Sequence, residues 1–183
     1  FIIKNKNQIC GDGTYECLNI WRLRDFSSVF YSNYYYDEAL EVIELMLNRT
    51  DEELDDEGGD THNKENFYWR IGMIHMKWAE YDKAIEGFKN ALKINDEKDN
   101  LWWNVQYNKR LGLVYYFMEK YDKSSEHYLQ AYLDSKQIEE NIETIMSLCF
   151  HAYTEELRGN SQTALDEITE CSEWVKQNPD DIN

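Results

Sequence analysis

Tyr81-Asp82-Lys83-Ala84 decides the fold of this 183-residue chain, because the chain repeats this phrase. Near copies stand at Tyr36-Asp37-Glu38-Ala39 and Tyr121-Asp122-Lys123-Ser124, and Ser161-Gln162-Thr163-Ala164 is a degenerate fourth. The small last residues follow one another at intervals of 45, 40 and 40 positions. A fixed period in this range is typical of stacked repeat proteins, in which each unit buries its apolar face only against its neighbours. The sequence therefore favours an extended binding surface over a catalytic pocket.

The two central copies match over a longer pattern than the phrase. One contains Tyr68-x2-Ile71-Gly72-x2-His75 and Ala84-x3-Phe88-x2-Ala91, and the next contains Asn108-x2-Leu111-Gly112-x2-Tyr115 and Ser124-x3-Tyr128-x2-Ala131. This pattern resembles the tetratricopeptide repeat (TPR), in a variant of about 40 residues rather than ~34 that lacks the terminal proline. The resemblance extends over residues 20–177. It implies an all-α fold, an α-α superhelix (solenoid) of about four helical hairpins.

Two glycines support this interpretation on physical grounds. Gly72 and Gly112 lie inside helical patterns, where glycine costs ~1 kcal/mol relative to alanine. Close approach of a second helix would offset that cost, since a side chain would hold the two helices apart. Ala84 and Ser124 are the matching small residues on the second helix of each hairpin. We therefore predict tight contacts within these two hairpins.

The pattern divides the chain into one repeat domain with short flanks. We predict an irregular segment at 1–18, a repeat domain at 19–177 and a tail at 178–183, where Asn178-Pro179 is a stop signal. The hairpins are predicted at 19–48, 65–95, 99–136 and 139–177, with an acidic linker at 49–64. The chain begins at Phe1 rather than at Met, so we expect a further domain upstream of residue 1.

Charge and hydropathy narrow the classes of partner. Acidic residues outnumber basic ones 36 to 19, which gives a net charge of −17. Such a chain is repelled by nucleic acids and by anionic membranes, so we predict that this domain binds neither. We expect a protein or peptide partner that is neutral or basic and carries apolar anchors. No apolar run approaches the ~18 residues of a membrane span, and no signal peptide is evident, so we predict a cytoplasmic protein.

The cysteines fit a reducing compartment in this interpretation. Cys149 and Cys171 lie in helical patterns and are predicted to be small buried hydrophobic side chains. Cys10 and Cys17 flank a glycine-containing turn, where a disulfide and two free thiols are both open alternatives.

No motif for catalysis, metal or cofactor binding is present. The acidic linker fails the EF-hand pattern, because Lys64 falls at the twelfth position when Gly58 is placed sixth. Gly-rich phosphate loops and His-Glu-x-x-His or Gly-x-Ser-x-Gly motifs do not occur. We therefore expect a protein that is not an enzyme and has no cofactor, no metal site and no catalytic residues.

The resemblance implies that the first helix of each hairpin lines a concave groove. Counting from the glycine position gives a predicted site with an apolar and aromatic floor and a cationic rim. Its residues are Trp69, Met73, Met76, Lys77, Lys109, Arg110, Leu113, Tyr116, Phe117 and Tyr153. The alternative is that several of these aromatic side chains pack between hairpins while the cations balance local acid. A carboxylate clamp of the chaperone-tail type is not expected, since Ser28, Met73, Leu113 and Tyr153 replace its asparagines.

The predicted function is that of a non-catalytic module that binds a protein or peptide segment. Repeats of this length resemble those of bacterial peptide-pheromone receptors of the Rap and Rgg type, which implies a peptide-sensing regulatory domain. They also resemble those of eukaryotic polarity and spindle-orientation scaffolds, which implies assembly. The sequence leaves these alternatives open.

Overall fold

The computed structural model describes residues 20–48, 64–96 and 99–179, together with Gly11, Tyr15 and Leu18. The acidic linker up to residue 63, Cys10 and Cys17, and the tail after residue 179 lie outside this described part. Within it the chain is all helical and contains no strand, which confirms the predicted α-α superhelix. The helices are α1 (Ile20–Ser32), α2 (Tyr36–Leu47), α3 (Lys64–Lys77), α4 (Tyr81–Asp96), α5 (Leu101–Phe117), α6 (Tyr121–Gln137), α7 (Asn141–Leu157) and α8 (Ser161–Gln177).

The helices pack in chain order and form two layers. Each helix contacts the one that follows it, and α5 also contacts α7 directly. Arg70 on α3 reaches Ser27 on α1, so odd-numbered helices lie side by side. The even-numbered helices form the second layer, each packed against the odd-numbered helices next to it in the chain. We call the surface lined by α1, α3, α5 and α7 the odd-helix face.

Aromatic rings over glycines set the spacing within the two central hairpins. A Cβ atom added to Gly72 would lie 2.7 Å from the Phe88 ring, and one added to Gly112 would lie 3.0 Å from the Tyr128 ring. Ser124 Oγ donates a hydrogen bond of 2.8 Å to the carbonyl oxygen of Gly112. The predicted tight contacts are therefore present, and the rings fill the space that the missing side chains leave.

A third glycine, which the sequence pattern did not single out, makes an equally short contact, but with backbone rather than with a side chain. A Cβ atom on Gly87 of α4 would lie 2.7 Å from the backbone nitrogen of Gly72 and 2.9 Å from its Cα. The two backbones of this hairpin therefore touch where both helices lack side chains. His127 occupies the matched position of the next hairpin, where it stacks on Tyr115 with ring centroids 5.4 Å apart.

The turns that follow α3, α5, α6 and α7 share one conformation. In the turn after α3, the Ala79 amide donates to Met76 O and the Glu80 amide to His75 O, at 3.1 and 2.9 Å. This pair of bonds is the Schellman motif, which satisfies the last carbonyls of a helix when the following residue is left-handed. The left-handed residue recurs every 20 positions, at Ala79, Asp99, Glu119, Glu139 and Gly159, with φ between 54° and 85°. Each 40-residue repeat is therefore two equal helix-turn units.

A buried carboxylate joins the third hairpin to the fourth. Glu155 on α7 accepts hydrogen bonds from Ser125 on α6, from Arg158 and from Asn160, the last at 2.6 Å. Arg158 also donates to Asp122 at the start of α6, at 2.8 Å. Burial alone would raise the pKa of Glu155, but the three hydrogen bonds and the Arg158 charge outweigh it and hold the pKa below its usual value.

Cys149 and Cys171 differ from their sequence interpretation. They are joined as a disulfide between α7 and α8, with Cα atoms 6.0 Å apart. The interpretation as two separate side chains was wrong on this point, because the antiparallel hairpin places these positions opposite each other. None of the helices in the described ranges has the length and hydropathy that would let it span a membrane.

The Gly87 contact predicts a specific cost of substitution. Gly87→Ala places a methyl group against backbone that no rotamer change can move away, so we expect a net loss of ~1–3 kcal/mol in unfolding free energy. Gly112→Ala is the matched comparison: its new methyl group meets the side chain of Tyr128 at 3.0 Å rather than backbone, so we expect a smaller loss. Chemical denaturation measures both variants. Equal stability of Gly87→Ala and the parent chain would contradict the backbone contact.

The shared turn predicts two opposite effects. A residue other than glycine in the left-handed conformation costs ~1–2 kcal/mol. Glu119→Gly should therefore stabilise the chain by up to ~1 kcal/mol, and Gly159→Ala should destabilise it by about the same amount. Thermal melts of both variants at one pH test this pair. A change of the same sign in both would show that φ at these turns does not govern stability.

The Glu155 network predicts a dependence of stability on pH. Because the folded pKa lies below the unfolded value of ~4.3, this carboxylate stabilises the fold above that pH and ceases to do so as pH falls through its folded pKa. Glu155→Gln should lower stability at pH 7 by ~1–3 kcal/mol and flatten the loss of stability in acid. The control Glu156→Gln, on the exposed side of the same helix, should change neither. The melting temperatures of Glu155→Gln and of the parent are measured from pH 7 to pH 3. An equal fall of both melting temperatures over this range would refute this role.

Candidate functional site

The structure places all ten predicted site residues on odd-numbered helices. Trp69, Met73, Met76 and Lys77 lie on α3, the run from Lys109 to Phe117 contributes five residues of α5, and Tyr153 lies on α7. Counting from the glycine position therefore selected residues of a single layer of the solenoid. The exposed fraction of these side chains differs from one part of the layer to another.

An aromatic cluster lies on the odd-helix face and contains two exposed rings, Phe117 and Tyr153. The rings of Tyr116 and Tyr153 lie 5.8 Å apart and their hydroxyl oxygens 3.5 Å apart, which joins α5 to α7. This hydrogen bond raises the pKa of Tyr116. Phe117 is 50% exposed and stacks on Tyr81 at 6.0 Å. Tyr121 contacts Tyr116 at 6.2 Å. We call these five residues the aromatic cluster.

Two members of this cluster were missed by register counting. Tyr81 and Tyr121 begin α4 and α6, which are even-numbered helices. The Tyr121 ring leans across the α5–α6 turn, and the Tyr81 ring reaches the end of α5 from the start of α4. The sequence contains a feature that could have indicated them, because each tyrosine is the first residue of a copy of the repeated Tyr-Asp phrase.

A cleft continues the cluster towards the last hairpin. It has a volume of about 420 Å³ between α7 and α8. Tyr153 and Glu156 line it from α7, and Leu165 and Ile168 line it from α8. Tyr153, which is 53% exposed, therefore belongs to both the aromatic cluster and the cleft. Together they form a continuous, largely apolar strip that an extended segment could cover.

The α3 part of the predicted floor is mostly packed inside the protein. Met73 is only 8% exposed and packs in a core cluster with Phe88 and Leu111. Met76 and Trp69 pack against the same cluster, and the Trp69 ring meets Trp103 edge-on at 6.3 Å. These side chains pack beneath the odd-helix face and contribute little to its exposed surface. Leu113 of α5 is half-buried.

The predicted rim cations have three different environments. Lys77 is exposed at the end of α3. Lys109 is largely buried and forms a 2.5 Å ion pair with Glu143 of α7, so its charge is already neutralised. Arg110, which is half-buried, has no ion pair or hydrogen bond to any described residue.

The three histidines of the described part are used as structural hydrogen-bonding groups. His75 Nδ1 lies 2.6 Å from Glu80 across a turn, and His151 Nδ1 lies 2.8 Å from Glu167 of α8. His127 contacts Asn108 at 2.9 Å, and burial lowers the pKa of its ring. In the described ranges, no group of three or more His, Cys, Asp or Glu side chains is placed to hold a metal ion.

Comparison with known proteins finds this fold in the crystal structure of the apo form of RapI. The TM-score is 0.70 and the sequence identity 16%, over 86% of this chain and 56% of RapI. The chain thus spans little more than half of the length of RapI. No protein-family model and no curated protein matches the sequence. At this identity the likeness establishes a TPR-like helical repeat fold.

Proposed function

We propose that this chain is a non-catalytic module that binds a peptide or a protein segment along the odd-helix face. The observation that carries the proposal is the aromatic cluster, which exposes Phe117 and Tyr153 between neighbouring hairpins. Aromatic side chains on a solvent-facing surface cost little conformational entropy to order and are the commonest energetic hot spots of interfaces. The adjoining cleft offers room for a further apolar anchor.

The face suits an extended ligand better than a compact one. The aromatic cluster and the cleft run across α5, α7 and α8, so a ligand would contact successive hairpins in turn. Solenoids characteristically bind in this way, because stacking of units creates a long surface rather than an enclosed cavity. No catalytic group is part of the proposal.

A peptide-sensing regulatory domain is the second candidate. It is supported by the likeness in fold to RapI and by the resemblance of the repeats to receptors of the Rap type. In such a domain, ligand binding would favour one superhelix pitch over another and thereby control an attached domain. Small-angle scattering with and without a captured peptide would distinguish this candidate, since a simple binding module keeps its dimensions.

The proposal predicts that Tyr116→Ala weakens peptide binding more than thirty-fold. A central aromatic hot spot contributes at least ~2 kcal/mol, which corresponds to that factor. The probe is a synthetic pool of seven-residue peptides with free ends, captured on the immobilised protein and identified by mass spectrometry. Affinities of captured peptides are then measured by calorimetry for each variant.

Tyr132→Ala provides the matched control. Tyr132 and Lys136, which its ring contacts, both lie on α6, in the layer opposite the odd-helix face. Removal of the Tyr132 ring should therefore leave the peptide affinity unchanged. Both variants should melt near the parent temperature. If no peptide is captured, the proposed function is wrong. If Tyr116→Ala keeps full affinity, the binding surface lies elsewhere.

A further inference from the structure

Arg70 is a half-buried cation whose hydrogen-bond partners in the described part are neutral. Its Nη1 donates to Ser28 Oγ at 3.0 Å and to Ser27 Oγ at 3.2 Å, across the gap from α3 to α1. Burial lowers the pKa of this guanidinium, and the charge of Arg24 lowers it further against the opposing effect of Tyr31. Two hydroxyl groups therefore orient the guanidinium without neutralising it.

Arg110 occupies the matched position one repeat later, on α5. It has no carboxylate partner among the residues that the structure describes. Its charge reaches two tyrosine hydroxyls, because it opposes the rise in pKa that burial causes at Tyr31 of α1 and at Tyr128 of α6. Arg70 acts on Tyr31 in the same direction. Tyr31 also packs against the core cluster that contains Met73 and Leu111, which fixes its position between α3 and α5.

This arrangement contrasts with that of other cations in the chain. Lys109 is paired with Glu143, Arg158 with Glu155 and Asp122, and Lys83 with Glu80. Acidic residues outnumber basic ones 36 to 19, so carboxylates are abundant. Arg70 nevertheless bonds only to the hydroxyl groups of Ser27 and Ser28, and Arg110 bonds to no described residue. Guanidinium groups bind carboxylates through paired parallel hydrogen bonds, a geometry that hydroxyls cannot satisfy.

We propose that Arg70, Arg110 and the Tyr31 hydroxyl form a subsite for one carboxylate group of the bound peptide. This inference rests on the proposed function and specifies its ligand: a segment with an apolar anchor and a single acidic group. The net charge of −17 repels anionic ligands at long range. Within the subsite the two guanidiniums act at contact distance, where screening is weak.

The spacing within α5 defines the ligand further. Arg110 and Phe117 are seven residues apart and so lie on the same side of the helix, ~10 Å from each other along its axis. An extended peptide covers that distance in about three residues. The carboxylate should therefore stand about three positions from the apolar anchor that contacts Phe117.

A first experiment tests the subsite without a peptide. The probes are N-acetylglutamate and N-acetylglutamine, titrated at constant ionic strength while the arginine Nε–Hε resonances are recorded by NMR. The Arg70 and Arg110 resonances should respond to the acid and not to the amide, whereas the paired Arg158 should respond to neither. Equal responses to both probes, or an equal response at Arg158, would overturn the proposal.

A second experiment uses the captured seven-residue peptides. For each, the acidic side chain is replaced by its amide in one version, and the C-terminal carboxylate is amidated in another. One of the two changes should weaken binding about tenfold or more, which identifies the source of the carboxylate. Arg110→Gln should abolish that difference, and Arg110→Lys should restore it only in part because lysine lacks the fork geometry.

Lys93→Gln is the control for Arg110→Gln, because it removes one positive charge at an exposed position of α4. This variant should keep the tenfold difference in affinity between the acid and amide peptides. Arg110→Gln should melt like the parent, since it breaks no hydrogen bond in the described part of the chain. If captured peptides tolerate both amide changes while Tyr116→Ala still weakens them, the carboxylate subsite is wrong and the binding function stands. If nothing is captured, the binding function itself fails.

Discussion

The packing of an aromatic ring onto a helical glycine is the contact on which the rest of this structure depends. Phe88 lies over Gly72 and Tyr128 over Gly112, at the same offset in consecutive hairpins. Each ring fills the volume that a side chain would occupy and so fixes how closely two helices approach. Since the same contact recurs after 40 residues, neighbouring hairpins share one geometry. Regular stacking of such units is what generates a superhelix.

Equal spacing of the turns extends that regularity along the chain. From α4 onward, helix starts recur every 20 residues, and a left-handed residue closes α3, α5, α6 and α7 by the same pair of backbone hydrogen bonds. Hairpins and the connections between hairpins are therefore built alike. This explains why odd-numbered helices form one continuous layer. Side chains from different repeats, such as Tyr116 and Tyr153, are thereby brought into contact.

Charge on the odd-helix face is distributed differently from charge on the chain as a whole. Lys109 and Arg158 form ion pairs with Glu143 and Asp122 of a neighbouring hairpin, so these cations stabilise the stacking. Arg70 instead donates to two serine hydroxyl groups, and Arg110 has no carboxylate partner among the described residues. An acidic protein can thus present a local cationic site, because packing decides which charges are neutralised internally.

The sequence by itself determined the repeat length, the helical hairpins and the layer on which each candidate residue lies. Those properties follow from periodicity within one helix, and Gly72, Gly112 and the Tyr-Asp phrase make that periodicity visible. Only the tertiary structure decided which of those residues remain open, because exposure depends on side chains that come from other helices. Met73 is covered by the core, Lys109 is neutralised by Glu143, and Cys149 is joined to Cys171. Tyr81 enters the aromatic cluster from a neighbouring helix for the same reason: its partner Phe117 is distant in sequence and close only after the hairpins stack.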